Sequence, residues 1–360
     1  MTRPARVTID LAALSHNFSR VQELAAGCKI MAVVKADAYG HGLARVGHAL
    51  SNADAFGVAC MEEAIELREA GIQQRIVLLE GPFAEEELQL FDSLKLDAVI
   101  HHESQLQMLE QSRLSSPLKT WLKVDTGMHR LGFAPSEIES AWKRLQESPQ
   151  VDKDIVLMSH LATSSEPDST MVRNQLEVFS SVSNSLKTER SVANSAAVIQ
   201  YPGSRLDWVR PGLMLYGVSP QVNRHGEDFG LKPVMSLRSR LISVKNLKKG
   251  EPVGYGADWC CPSDTRIGIV AAGYGDGFPR HAQSGTPTLV NGERARIIGN
   301  SSMDMLTVDL SAQPTAKVGD EVELWGPGLA IEEVAMYADT IPYEILCGVH
   351  KRLAFEEING

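Results

Sequence analysis

The stretch Ile30-Met-Ala-Val-Val-Lys-Ala-Asp-Ala-Tyr-Gly-His-Gly42 decides the fold class. Its apolar run ends at Val34 and glycines follow at 40 and 42, the pattern of a strand buried on both faces, as in a parallel sheet. Lys35 comes at the C-terminal end of that strand, where burial makes a positive charge costly. A lysine that forms a Schiff base sits in such a place. Taken alone, a lysine snorkelling from a strand end explains it at least as well, so the rest of the chain must decide.

Working outward, the unit repeats: a short apolar strand, then a stretch with helical period. Strand ends are expected near Lys35, Ala59, Leu79, Ile100, Val124, His160, Asn194 and Arg210. Between them lie helical patterns such as Leu43, Val46 and Leu50, or Ala64, Ile65, Leu67 and Arg68 before Gly71. Eight such steps in roughly 200 residues match a parallel (β/α)8 barrel, although an open doubly wound sheet also alternates its elements. The polar residues favour the barrel. Lys35, His160, Asn194, Ser195 and Arg210 all fall at C-terminal strand ends, which in a barrel converge on one mouth.

After about Gly230 the pattern changes to short strands. Thr288 to Ile298 reads as a hairpin around Asn291-Gly292, and Leu306–Leu310 and Glu321–Trp325 add further strands. Two domains are expected: residues 1–230 as an α/β barrel and 231–360 as a mostly β domain. Arg6–Asp10 reads as a strand, with Asp10 as N-cap of a helix whose apolar face is Leu11, Leu14, Phe18, Val21 and Leu24.

Composition excludes several classes. The 360 residues are 43% hydrophobic and 22% charged with net charge −10, an ordinary globular profile without a nucleic-acid footprint. The start lacks an apolar signal segment and no apolar run is long enough for a membrane span, so a cytoplasmic protein is expected. Five cysteines without CxxC spacing argue against disulfides and zinc, and no metal is expected. Ala272-Gly-Tyr-Gly-Asp-Gly277 has the wrong glycine spacing for a dinucleotide loop and Pro279 follows it. His101-His102-Glu103 reads as a helix start rather than a metal site. Ala193-Asn-Ser-Ala196 and Arg210-Pro-Gly-Leu213 follow the seventh and eighth barrel strands, positions that often bind phosphate.

Val33-Val-Lys-Ala-Asp-Ala-Tyr-Gly-His-Gly42 resembles the pyridoxal phosphate signature of the alanine racemases. Lys123-Val-Asp-Thr-Gly-Met-His-Arg-Leu-Gly132, Ala193–Ala196, Val209–Leu213, Val253-Gly-Tyr-Gly256 and Ser302-Met-Asp304 resemble the same family in the same order. The resemblance implies a pyridoxal 5′-phosphate barrel of TIM type and a C-terminal β domain that includes the strand near 6–10. It also implies a head-to-tail homodimer in which each β domain caps the partner's barrel. Lys35 would hold the cofactor and act as one base, with Tyr255 of the other subunit as the second. Tyr39, Ser195, Gly212, Leu213 and Tyr343 would hold the phosphate, with Asn194 also among the cofactor-binding residues, and the flanks of Tyr343 match least well. Arg210 would face the pyridine nitrogen, and His160 would link it to Tyr255. Arg130 and the Met303 backbone would position the substrate carboxylate, and Lys123 would be carbamylated to orient Arg130.

The implied activity is interconversion of L- and D-alanine, for cell-wall peptidoglycan or for D-alanine breakdown. Two bases on opposite faces suit it, because one base would have to cross the substrate plane. An arginine keeps its own proton, so the ring nitrogen beside Arg210 would stay unprotonated, favouring prompt return of the proton over transamination. A broad-spectrum or serine racemase is the near alternative, since one methylene is worth only ~1–3 kcal/mol. A barrel-type decarboxylase with the same cofactor is another, and would leave Tyr255 without a purpose as base. Non-catalytic single-barrel cofactor proteins lack a counterpart of residues 231–360.

Overall fold

The computed structural model describes residues 3–360. Strands are numbered along the chain: β1 Arg6–Asp10, β2 Lys29–Val33, β3 Ala55–Val58, β4 Arg75–Leu78, β5 Asp97–Ile100, β6 Thr120–Lys123, β7 Val156–Met158, β8 Arg190–Asn194 and β9 Trp208–Arg210. Then follow β10 Met235–Leu247, β11 Pro252–Val253, β12 Trp259–Cys260, β13 Thr265–Val270, β14 Pro287–Val290, β15 Glu293–Ile297, β16 Leu306–Asp309, β17 Glu321–Trp325 and β18 Ala354–Ile358. By packing, the chain divides into two compact units. One is Phe18–Leu215 with Pro220–Val222; the other combines the residues up to Asn17 with Tyr216–Ser219 and Asn223–Gly360. The change of pattern near Gly230 lags the packing division because the Val234 amide already bonds the Tyr216 carbonyl at 3.2 Å.

In the first unit β2 to β9 close into a barrel, with β2 paired in parallel to β9. The strands are buried on both faces, which is why their sequences run apolar rather than alternating. Met31, Ala55, Val77, Val99, Trp121, Val156, Met158 and Trp208 fill the interior. At the N-terminal end of the strands Trp121 and Trp208 meet edge to face with centroids 5.2 Å apart. The Arg75 guanidinium lies over both rings, and buried Asp97 accepts from Arg75 and from Trp121 Nε1. Aromatic and ionic packing plugs this end, and the C-terminal ends carry the chemistry.

In the second unit the order is β13-β16-β15-β14-β17-β10-β1-β18. β10 also pairs with β13, so six of these strands close on themselves. β1 lies between β10, antiparallel, and β18, parallel. The β14–β15 hairpin turns at Asn291 and Gly292 with φ of 52° and 82°, the left-handed pair that an Asn-Gly turn requires. Asp10 ends β1 and its carboxylate accepts the Ala13 amide at 3.0 Å, capping helix Leu11–Leu24. Two short helices, Ile331–Tyr337 and Pro342–Cys347, lie within the region read as strands. Among the described residues no helix is long and apolar enough to cross a membrane, and no cluster of His, Cys, Asp or Glu could hold a metal.

Candidate active site

The expectation that Lys35 is the deeply buried amine needs correction. β2 ends at Val33, and the chain then enters a turn that carries Lys35 to a half-buried position. Ala36, Asp37, Ala38 and Tyr39 all have φ between 52° and 55° and ψ between 41° and 54°, one left-handed helical turn of non-glycine residues. Such a conformation costs roughly 1–2 kcal/mol per residue, so the surroundings must enforce it. Glu63 does so from one side, accepting the Ala36 amide at 2.6 Å and the Ala59 amide at 2.8 Å. Asp37 accepts the Leu43 amide at 2.8 Å. From the other side His41, fully buried, donates from Nδ1 to the carbonyls of Ala38 and Tyr39 at 3.0 and 2.9 Å. Burial brings its pKa down to about 4, so it stays neutral as that donor.

The deeply buried amine is Lys123, the last residue of β6, with only 7% exposure. Burial, then Arg210, Arg130 and Lys35, bring its pKa down to about 8. A void of about 10 Å³, room for one water, is lined by Lys123, Arg130, His160 and their neighbours. Arg130 itself is exposed, on a loop whose start is fixed by Asp125, which accepts the Gly127 and His129 amides at 2.9 and 3.0 Å. The far end folds back on the strand, with the Phe133 amide bonded to the Lys123 carbonyl at 2.9 Å.

Arg210 closes β9 and is 4% exposed. It donates to Ser191 Oγ and the Ser159 carbonyl, both at 2.6 Å, and to His160 Nδ1 at 3.3 Å. Burial alone brings its pKa down to about 10, which still leaves it a cation at neutral pH. His160 is held well below the ordinary imidazole range by burial, then by Arg210, Lys123, Arg130 and Lys35. Arginine can only donate, so His160 Nδ1 accepts and Nε2 keeps the hydrogen.

Beside this cationic group lies a small polar cradle. Ser195 Oγ accepts the Gly212 amide at 2.9 Å and the Met214 amide at 3.3 Å, so its own hydrogen can be donated elsewhere. A Cβ on Gly212 would meet Tyr39 Oη at 2.6 Å; only glycine lets the backbone approach that phenol. Leu213 follows, buried. Asn194 uses its side-chain oxygen to accept the Ala197 amide at 3.0 Å and Ser164 Oγ at 2.9 Å, capping helix Ser195–Gln200.

The remaining expected site residues belong to the other unit. Tyr255 stands 73% exposed in the turn Tyr255–Ala257, between Gly254 and Gly256, both with positive φ. Met303 is 53% exposed, and Tyr343 lies on helix Pro342–Cys347. Sequence reading missed Glu63, His41 and Ser191. His41 stood inside the quoted motif without a role, and Glu63 and Ser191 gave no signal because each acts on a neighbour distant in sequence.

Comparison with known proteins gives a consistent family. The family model described as alanine racemase, N-terminal domain, matches residues 9–220, and that of the C-terminal domain matches 234–356. The alanine racemase of Nitrosococcus oceani is 52% identical over 345 residues, covering 96% of this chain and 97% of that protein. That of Shewanella sediminis is 49% identical over 349 residues, covering 97% and 98%. The crystal structure of biosynthetic alanine racemase from Pseudomonas aeruginosa superposes with a TM-score of 0.96 at 46% identity, covering 99% of each chain.

Proposed function

The chain belongs to the alanine racemase family, and from that premise we propose how its own residues carry the reaction. The protein is an isomerase that interconverts L-alanine and D-alanine. The observation that carries this is identity of about half over essentially the full length of enzymes with that activity. Neither the broad-spectrum racemase nor the decarboxylase alternative is favoured by these relatives.

We infer that the cofactor is pyridoxal 5′-phosphate, joined to Lys35. The fit is supported by the cradle at Gly212, where a side chain would strike Tyr39, and by the Ser195 hydroxyl beside it. Tyr39, Ser195, Gly212, Leu213 and Tyr343, with Asn194 fixing the turn, would hold the phosphate. When bound, the cofactor supplies the electron-withdrawing ring that makes the Cα proton of an attached amino acid removable. Arg210 would lie at the ring nitrogen and, keeping its own proton, would leave that nitrogen unprotonated.

Lys35 Nζ would then move the Cα proton on one face of the substrate and Tyr255 Oη on the other. Arg130 and the Met303 N–H would bind the substrate carboxylate and so hold Cα between the two bases. A neutral His160, fixed by Arg210, would keep Tyr255 in reach of fixed positive charge, which assists a phenol as a base. Lys123 would be carbamylated. With its pKa near 8 a useful fraction of the amine is neutral at physiological pH, the form that adds carbon dioxide. The product anion would sit beside Arg130 and Arg210 in place of a third cation.

The active form is proposed to be a homodimer in the cytoplasm, each β domain capping the partner's barrel. The exposure of Tyr255 within a single chain supports this. We propose that it makes D-alanine for biosynthesis, the one role named for the Pseudomonas relative. Incubation with L-alanine in heavy water tests the reading: optical rotation should decay to zero as deuterium enters Cα. Borohydride should fix the cofactor to the peptide containing Lys35. Loss of carbon dioxide from alanine, or label on another lysine, would refute it.

A further inference from the structure

Asp276 is fully buried, yet it lies in a glycine loop that the reaction as described does not use. Its carboxylate accepts from Arg352 Nε at 2.9 Å on Oδ1, and from Arg3 at 2.7 Å and the Gly273 amide at 2.9 Å on Oδ2. Both arginines reach onward to the same short segment. Arg352 donates to the Asp304 carboxylate at 2.9 Å and the Met303 carbonyl at 3.3 Å. Arg3 donates to the Asp304 carbonyl at 3.0 Å and its carboxylate at 3.3 Å. The charge pairing is therefore closed, two arginines against two aspartates, with the buried one at its root.

The backbone of the same loop grips the segment as well. The Tyr274 amide bonds the Ser302 carbonyl at 3.1 Å and the Gly275 amide bonds the Met303 carbonyl at 2.8 Å. No side chain fits between the two strands of backbone: a Cβ on Gly273 would lie 2.2 Å from the Ser302 carbonyl oxygen. A peptide unit is planar and trans, so fixing the Ser302 carbonyl fixes the Met303 N–H in the opposite direction. Holding the next carbonyl, that of Met303, removes the remaining rotation.

We propose that Asp276, through Arg3 and Arg352, is a positioning residue that aims the Met303 N–H at the substrate carboxylate. This rests on the reading that the Met303 backbone binds that carboxylate. The carboxylate itself is shut off from solvent, so the two arginines and the Gly273 amide are its partners rather than water. Its loss would free both arginines and let the 302–304 segment rotate, weakening recognition of the carboxylate while sparing the amine chemistry at Lys35.

The test uses the holoenzyme and spectral titration with two amines, L-alanine and isopropylamine, which lacks the carboxylate. Asp276→Asn should weaken alanine binding and raise its KM about tenfold, since a misaligned charge-assisted hydrogen bond is worth roughly that factor. Binding of isopropylamine should stay within about twofold by the same reasoning, and kcat should fall far less than KM rises. Equal weakening of both amines, or of neither, would overturn the proposal. Should Asp276→Asn fail to fold by circular dichroism, Arg352→Gln carries the same comparison with the same two outcomes. Replacing Met303 by its α-hydroxy acid turns the N–H into an ester oxygen and tests the underlying reading alone. Weaker alanine binding there, with normal binding in the Asp276 and Arg352 variants, would keep that reading and refute the network. Unchanged binding in the ester protein would refute the reading itself.

Discussion

Lys123→Met asks whether the buried amine of β6 is an ammonium or a carbamate, because the two states predict opposite changes in stability. Unmodified, the amine's pKa falls from 10.5 to about 8, and one unit corresponds to about 1.4 kcal/mol, so holding the proton in the folded protein costs about 3 kcal/mol at pH 7. In buffer freed of carbon dioxide, Lys123→Met should therefore stabilise the cofactor-free protein by about 2–3 kcal/mol. In bicarbonate the proposed carbamate would make the lysine an anion facing Arg130 and Arg210. The same substitution then leaves those cations uncompensated and should destabilise by about 1–3 kcal/mol. Urea unfolding at fixed protein concentration, with and without bicarbonate, reads both signs. The pH dependence adds a check. The folded pKa lies below the unfolded one, so the unfolded state binds more protons between about 8 and 10.5. Unmodified wild type should gain stability on the variant as pH rises through that window, and should keep a constant deficit below it. A substitution that destabilises equally in both buffers, with no change across the window, would refute a buried cation penalty at this site.

Tyr255→Phe should nearly abolish exchange of the Cα proton from one alanine enantiomer in heavy water while exchange from the other persists through Lys35; equal loss from both would refute opposite-face bases. Lys35→Ala and Tyr255→Phe proteins, each inactive in racemisation, should recover activity on mixing and subunit exchange, with up to one intact site per heterodimer; verified exchange without activity would exclude a shared site. Ala36 is exposed with φ of 55°, so Ala36→Gly should stabilise by about 0.5–1 kcal/mol and Ala36→Val should destabilise by a similar or larger amount, measured as shifts in thermal midpoint. Arg75→Met strands the buried Asp97 carboxylate at the barrel's N-terminal end and should cost roughly 3–5 kcal/mol in chemical unfolding, most of it recovered by adding Asp97→Leu.

What the sequence made legible follows from short-range physics. Each barrel strand is a brief apolar run because it is buried on both faces, and each polar residue at its C-terminal end marks the mouth. Asp10 as an N-cap and Asn291-Gly292 as a hairpin are local chemistry and were readable as such. The left-handed turn at Ala36–Tyr39 was not readable, since alanine disfavours it and Glu63 and His41 impose it. Nor was the burial of Lys123 over Lys35: both follow apolar strands, but β6 keeps its last residue inside while β2 stops two residues short. The closure of six strands through β10 and β13 depends on a pairing that no local pattern encodes. The link of Arg3 to Asp276 spans 273 positions and left no trace in either neighbourhood.

The distribution of exposure among the charged groups has a mechanistic logic of its own. Arg210 is buried and held by Ser191, Ser159 and His160, so its charge occupies one position and needs no reorganisation during reaction. The groups assigned to carry protons or receive the substrate are different: Lys35 is half-buried, and Tyr255 and Arg130 stand exposed in the single chain. Free L- and D-alanine are of equal energy, so a fixed charge can speed proton removal from both without altering their equilibrium. Charge held in one place, as proposed for Arg210 at the ring nitrogen, would serve proton removal from either face. Under the proposed assignment the two bases would tell the faces apart, and the clamp proposed for Met303 would be the part of the carboxylate's hold built from buried charge.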